Sequence, residues 1–455
     1  MAEYEKIFKA YDIRGVVPDE LDEQVAEAAG GAFVRLTGAP AVVTAYDMRM
    51  SSPGLAHAFG RGAAAQGADV ISAGLGSTDM LYYASGSLDI PGAMITASHN
   101  PARYNGIKLC RAGARPVGAE TGLVQLRDMA MAGVPAYSGT PGTITERDLL
   151  TGYAAHLKTL VDLSAIRPLK VAVDAGNGMA GYTVPRVLGG LPIDIVPLYF
   201  ELDGNFPNHE ANPIDPRNLA DLQQAVVKSG ADLGLAFDGD ADRCFVVDER
   251  GEIVSPSVLT ALIAVRELGR EPGAAIIHNL ITSRAVPEIV TEHGGVPVRT
   301  RVGHSFIKAR MAEAGAIFGG EHSGHFYFRD FWFADSGMLA ALHVLAALGS
   351  ATRPLSELLA EYSRYVASGE INSEVGDQAA ATEKVRAAFA GRPGFSTDEL
   401  DGLTVSGPDY WFNVRPSNTE PLLRLNVEAP DEATLAGIRD EVLGIVRGNG
   451  SGDGS

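Results

Sequence analysis

The sequence predicts an α/β protein: three topologically similar α/β domains followed by a smaller C-terminal α+β domain. Three observations carry this expectation. A chain of 455 residues is too long for one hydrophobic core, so it divides into domains. Short apolar strands alternate with helix-like stretches, the pattern of parallel or mixed sheets with helical crossovers. The same run of three strands then recurs three times before the pattern changes.

The first strand of each run is apolar and leads into a polar turn and a helix-like stretch: Ala41 to Ala45, Val171 to Ala175 and Ala274 to His278. The second strands are Ala68 to Ser72, Ile193 to Pro197 and Val296 to Thr300, and the third are Gly92 to Thr96, Asp232 to Phe237 and Gly315 to Gly319. Each third strand runs into a polar loop. Ligands in such sheets bind beyond the carboxyl ends of the strands, so three loops at equivalent positions can share one cleft. The last segment differs, with helix-like stretches at Ala379 to Ala390 and Glu432 to Val446 and strands near Gly402 to Val405, Tyr410 to Val414 and Leu422 to Val427. The expected divisions are domains at 1–149, 150–253, 254–366 and 367–447, and a Gly/Ser-rich disordered tail at 448–455.

Composition narrows the class. Apolar residues make up 46%, as in globular proteins, and Gly at 53 and Pro at 25 imply many tight turns. The only cysteines, Cys110 and Cys244, argue against a disulfide framework and fit a reducing cytosol. Met1 to Ile7 lacks an apolar signal core, so a cytoplasmic location is expected. The longest apolar run, Met338 to Leu348, contains His343, is too short to span a bilayer and reads as a buried helix. A net charge of −19 argues against a nucleic-acid partner. It also conflicts with an anionic substrate unless basic residues are focused in one cleft. Arg14, Lys108, Arg243 and Arg415 all lie in or beside turn-rich segments, as that focusing requires.

Four loops carry the chemistry. In Thr96-Ala-Ser-His-Asn-Pro101, Ser98 offers a hydroxyl nucleophile or phosphate carrier, the alternative being a turn-forming serine beside Asn-Pro. Lys108 follows and either neutralises a phosphate, shuttles a proton or is an ordinary surface lysine. In Asp238-Gly-Asp-Ala-Asp-Arg243 three alternating carboxylates repel one another unless a cation is present, and hard oxygen ligands suit Mg²⁺, the alternative being a solvated acidic turn. An EF-hand is rejected: Arg243 stands where its sharp turn needs Gly, and the flanks read as strands. In Gly320-Glu-His-Ser-Gly-His325, Glu321, Ser323 and His325 can hydrogen-bond sugar hydroxyls; a zinc site lacks a further ligand set. His304, in the second-strand loop of the same unit, either joins the site or is structural. In Arg415-Pro-Ser-Asn-Thr-Glu-Pro421 a fork-shaped cation stands beside Ser417, Asn418 and Thr419, either as an anion clamp or as a structural turn.

Together these loops resemble the α-D-phosphohexomutase superfamily in order, spacing and content, over essentially the whole chain. The resemblance implies three α/β domains and a C-terminal domain around a central cleft. It implies that Ser98 is a phosphoserine whose phosphate completes the Mg²⁺ shell of Asp238, Asp240 and Asp242. Glu321 and Ser323 would hold the sugar 3- and 4-hydroxyls, and Arg415, Ser417, Asn418 and Thr419 the phosphate that is not reacting. Arg14, Lys108, Arg243, His304 and His325 would complete the cleft, with Lys108 and His325 as proton-transfer groups. A hexose 1,6-bisphosphate would be intermediate and activator, and the protein a monomer or homodimer acting without nucleic acid or membrane. The metal and phosphate loops, and Phe326 to Trp332, look most like bacterial phosphomannomutases or the dual phosphomannomutase/phosphoglucomutase branch. Some dual-specificity members carry a lysine in the loop where Asn279 to Arg284 has none, and Arg284 is the residue that would substitute. Two rivals remain: a metal-dependent phosphatase using an Asp nucleophile, which makes Ser98 dispensable, and a non-catalytic sugar-phosphate-binding module.

Overall fold

Each expected strand triplet pairs into its own sheet. The structure, a computed structural model, describes residues 4–417 and 422–448, with the backbone alone at 304 and 305. In the first sheet Ala41–Tyr46 lies between Asp69–Leu75 and Gly92–Ile95, parallel to both. Leu169–Asp174 sits likewise between Ile193–Leu198 and Leu233–Phe237 in the second, and Ala275–Asn279 between Val296–Thr300 and Phe318–Gly320 in the third. In all three a fourth strand returns antiparallel to the third: Tyr104–Arg111, Cys244–Asp248 and Phe326–Phe328. The third strands are buried along their whole length. Covered on both faces, they need no polar alternation.

This shared topology positions the chemistry. The loops after residues 95, 237 and 320 are the same link in three copies, joining a buried parallel strand to its antiparallel neighbour. One detail differs from the expectation. Gly315, at φ 60°, ends the helix His304–Ala314 in the left-handed conformation, so the third strand there starts only at Phe318. Arg14 stands on a short edge strand of the first sheet, Ile13–Val16, opposite Gly106 and beside the turn that follows, as the expected focusing of basic residues allows.

The fourth sheet is antiparallel throughout, ordered Val366–Glu374, Leu422–Ala429, Trp411–Pro416, Leu403–Ser406 and Ser396–Asp398, with helices Gln378–Phe389 and Glu432–Val446 packed on its core. Residues 449–455, most of the expected tail, lie outside the described residues. The helix Gly337–Gly349 is buried at every residue, as its unbroken apolar run requires. It lies in the largest core, which joins the second and third units and takes in Met80, Tyr82 and Cys110 of the first. Among the described residues no helix is long and apolar enough to cross a membrane.

Candidate active site

The serine loop is held by a residue the motif reading missed. Arg49, 2% exposed, donates from Nη2 to the carbonyls of Ser98 (2.8 Å) and Asn100 (2.7 Å) and from Nη1 to those of Pro101 and Tyr104 (both 3.0 Å). Asp47 receives Arg49 Nε at 3.2 Å and the Ser52 hydroxyl at 2.6 Å. A guanidinium suits this task because its planar fork satisfies several carbonyls at once. The available signal was its place in Tyr46-Asp-Met-Arg49, just past a first strand. The Thr96 hydroxyl accepts the Ser98 amide at 2.9 Å, and Ser98 itself takes φ 50°. Its hydroxyl then donates to Asp238 Oδ2 at 2.7 Å, with His99 Nδ1 3.2 Å away. Arg14 Nη1 donates to Asn100 Oδ1 at 2.5 Å and pairs with Asp12.

The acidic loop is a tight turn between Leu233–Phe237 and Cys244–Asp248. Ala241 adopts φ 59°, its amide donating to the Asp238 carbonyl at 3.0 Å, and Arg243 donates its amide to Asp238 Oδ1 at 3.1 Å. A Cβ on Gly239 would fall 2.5 Å from the Ser98 carbonyl oxygen, so glycine lets the two loops meet backbone to backbone. Asp238, Asp240 and Asp242 are buried, with one carboxylate oxygen from each within 4.8 Å of the others. Lys108 Nζ bridges Asp240 at 2.7 Å and Asp242 at 2.6 Å; it is no surface lysine.

The electrostatics are those of a carboxylate cluster that could hold a cation. Burial, then the charges of Asp242 and Asp240, push Asp238 well above the usual carboxylate range. Burial also works upward on Asp242, but Lys108, His325 and Arg243 outweigh it and hold it well below. Burial opposes the Lys108 charge, yet Asp240 and Asp242 overcome this and raise its pKa. Among the described residues Asp240 Oδ1 and Asp242 Oδ1 are buried without a hydrogen-bond partner, with His325 Nε2 3.5 Å from Asp242 Oδ1. Buried oxygens left over in a set of three carboxylates fit a hard divalent cation.

The loop at 321–325 turns from Phe318–Gly320 into Phe326–Phe328. Glu321 is pinned by two residues absent from its motif, Tyr327, whose hydroxyl donates at 2.5 Å, and Asn279, whose amide donates at 3.2 Å. Ser323 Oγ lies 3.0 Å from His325 Nδ1, and Arg243 Nε donates to His325 Nε2 at 3.2 Å. The Cys244 amide donates to the Gly324 carbonyl at 3.2 Å, tying this loop to the acidic one. Burial pushes His322 down to about 3, so it stays neutral. The side chain of His304, the first residue of its helix, lies outside the described residues.

In the fourth sheet Arg415 and Arg424 stand opposite each other on neighbouring strands. Glu370 lies between them, 2.8 Å from Arg415 Nη2 and 3.6 Å from Arg424 Nε, and Arg424 Nη2 donates to Ser417 Oγ at 3.3 Å. Arg424 was not singled out from the sequence, because only the strand pairing brings it beside Arg415. Asn418 and Thr419 lie outside the described residues. Arg284, the residue expected to substitute for the missing lysine, is engaged with the fourth unit. It donates to the carbonyls of Pro408 (3.3 Å) and Asp409 (3.2 Å) and stacks on Tyr365, linking the third unit to the fourth.

A cavity of about 740 Å³ opens over these groups, lined by His99 of the first unit, Arg243 of the second, Glu321, Ser323 and His325 of the third and Arg415 of the fourth. It is of a size for a small polar ligand. Ser98, Lys108, the three aspartates and Arg14 are not part of its lining; they adjoin it through His99, next in the chain to Ser98, and through Arg243 beside Asp238 and Asp242. The arrangement brings a hydroxyl, a cluster of carboxylates that could hold a cation, and a pair of guanidinium groups to one cavity and its immediate surroundings.

The comparisons agree with this geometry. Residues 5–124, 151–251 and 255–365 match the phosphoglucomutase/phosphomannomutase alpha/beta/alpha domains I, II and III, and residues 370–445 the C-terminal domain of the same family. The chain is 41% identical over 444 residues to a protein of Xanthomonas campestris pv. campestris named phosphohexose mutases, covering 97% of this chain and 99% of that one. It is 40% identical over 445 residues to a phosphomannomutase of Salmonella typhimurium, covering 96% and 97%. A crystal structure of a phosphoglucomutase/phosphomannomutase family protein from Burkholderia thailandensis superposes with a TM-score of 0.89 at 34% identity, covering 99% of both chains. Four successive domain matches, relatives similar over nearly their whole length and a site assembled from all four sheets lead to one assignment: the chain belongs to the phosphoglucomutase/phosphomannomutase family.

Proposed function

We propose that the protein is a phosphomannomutase, interconverting mannose 6-phosphate and mannose 1-phosphate, and that it also accepts glucose phosphates. The observation that carries this reading is the Ser98 hydroxyl, hydrogen-bonded at 2.7 Å to Asp238 next to a cavity that His99, Arg243 and Arg415 help to line. Ser98 Oγ carries the phosphoryl group. The sugar hydroxyl attacks phosphorus, the bond to Ser98 Oγ breaks, and a hexose 1,6-bisphosphate forms. That intermediate turns end over end and returns its other phosphate to Ser98, so phosphate is neither gained nor lost.

The residues divide the work. Asp238, Asp240 and Asp242 hold Mg²⁺, which offsets charge on the transferring group when bound. His325 and Lys108 are the proton-transfer groups, His325 for the attacking hydroxyl; Asp240 and Asp242 hold Lys108 charged, which opposes its giving up a proton. Arg243 and His304 complete the cleft around the reacting end, and Arg14 holds the serine loop through Asn100. Glu321 and Ser323 hold the 3- and 4-hydroxyls, while Arg415, Ser417, Asn418 and Thr419 hold the resting phosphate. Mannose and glucose differ only at the 2-hydroxyl, which this grip does not read. Both Cys110 and Cys244 are buried free thiols, which fits work in the reducing cytoplasm, as a monomer or homodimer.

The test is turnover of mannose 1-phosphate and of glucose 1-phosphate to their 6-phosphates, with Mg²⁺ and trace hexose 1,6-bisphosphate. Comparable kcat/KM for the two is expected. Release of inorganic phosphate in place of isomerisation would overturn the reading in favour of the phosphatase.

A further inference from the structure

Beneath the acidic loop lies a buried carboxylate that the reaction does not use. Asp79, fully buried, accepts hydrogen bonds from three hydroxyls: Tyr153 (2.6 Å), Ser336 (2.6 Å) and Ser77. Two of these donors are helix caps. Ser77 caps the helix Thr78–Leu88 and accepts the Met80 amide at 3.3 Å; Ser336 caps Gly337–Gly349 and accepts the Leu339 amide at 3.0 Å. With its hydrogen committed to Asp79, each serine presents lone pairs to its own helix. One carboxylate thus orients the starts of two helices from different units, and its charge suits their positive ends.

Both helix starts rest on the acidic loop. Thr78 donates its amide to the Asp240 carbonyl at 3.0 Å and its hydroxyl to Asp240 Oδ2 at 2.6 Å. A Cβ on Gly337 would fall 2.7 Å from the Arg243 carbonyl carbon and oxygen, so the second helix abuts the other end of the same loop. We infer that Thr78 and Asp79 are positioning residues for the cation site: Thr78 aims the Asp240 carboxylate, and Asp79 locks the two helix starts that clamp residues 240 and 243. The inference rests on the reading of this loop as a metal site. Neither residue lies in the loop's own motif or lines the cavity.

The experiment is Mn²⁺ binding to the whole purified protein, followed by the electron paramagnetic resonance of free Mn²⁺, alongside KM for the phosphosugar. Thr78→Val removes the hydroxyl at constant shape; Thr78→Ser restores it; Asp79→Asn removes the shared charge. Losing a partner of a metal ligand weakens binding by about 10- to 100-fold. A Kd rise of roughly that size is expected in Thr78→Val and Asp79→Asn, with Thr78→Ser near wild type and the phosphosugar KM unchanged. If Thr78→Val does not fold, Asp79→Asn decides alone. Unchanged Mn²⁺ affinity in a folded Val or Asn variant overturns the positioning role while leaving the metal site standing. Absence of Mn²⁺ binding in wild type overturns the metal site itself, and the inference with it.

Discussion

At the scale of single residues, the site combines groups that act with groups that only aim them. Ser98→Ala removes the hydroxyl that bonds Asp238. Loss of a nucleophile that carries a covalent intermediate is expected to cut mutase flux by roughly a thousandfold or more. Retained circular dichroism with undiminished flux would remove Ser98 as the carrier. Glu370 poses the opposite case. It partly neutralises Arg415 and Arg424 in the ligand-free protein, so a bound phosphate competes with a carboxylate already there. Glu370→Gln is therefore expected to lower KM for the phosphosugar several-fold; steady-state kinetics showing a raised KM would mean that Glu370 orients the arginines instead.

At the scale of elements, one connection is used three times, and the loops it carries are stitched to one another by backbone. Gly239 against Ser98 and the Gly324 carbonyl against the Cys244 amide leave no side chain to absorb an error. Gly239→Ala puts a methyl group 2.5 Å from the Ser98 carbonyl oxygen. It should destabilise by about 1–3 kcal/mol, the usual cost of overpacking, and reduce the phosphorylation of Ser98. Thermal melts and intact-mass measurement read both. A variant with wild-type melting and full phosphorylation would show that the loops can separate without penalty.

At the scale of the whole molecule, the three α/β units meet at Asp79, and this junction is costly. Burial is the chief cause that raises Asp79 to about 6, with its three hydroxyl partners pulling the other way. The folded protein thus keeps a proton on Asp79 that the unfolded chain loses near 3.8. Stability from that difference is full below the unfolded value and disappears as pH rises through about 6. Asp79→Asn, which never ionises, should therefore gain melting temperature over wild type at pH 8 and gain less at pH 5. Melting curves at the two pH values check this; an equal difference at both would mean that Asp79 does not titrate with folding. The cost makes sense if the charge serves the cation site rather than the fold.

The sequence by itself determined the strand triplets, the buried helix through Met338 and the four polar loops. Each is set by local means: runs of apolar residues, turn-forming residues and spacing within a few positions of the chain. What only the tertiary structure decided are the partners that reach those loops from elsewhere. Arg49 on the serine loop, Tyr327 and Asn279 on Glu321, Arg424 beside Arg415, and Thr78 on Asp240 look ordinary in their own segments. Sheet pairing and the packing of one unit on another bring them into place. Arg284 shows the same limit in reverse: its position in the chain suits the cleft, yet it is turned onto the carbonyls of Pro408 and Asp409. A motif records which groups can react; which long-range hydrogen bonds aim them depends on where the backbone of distant residues ends up.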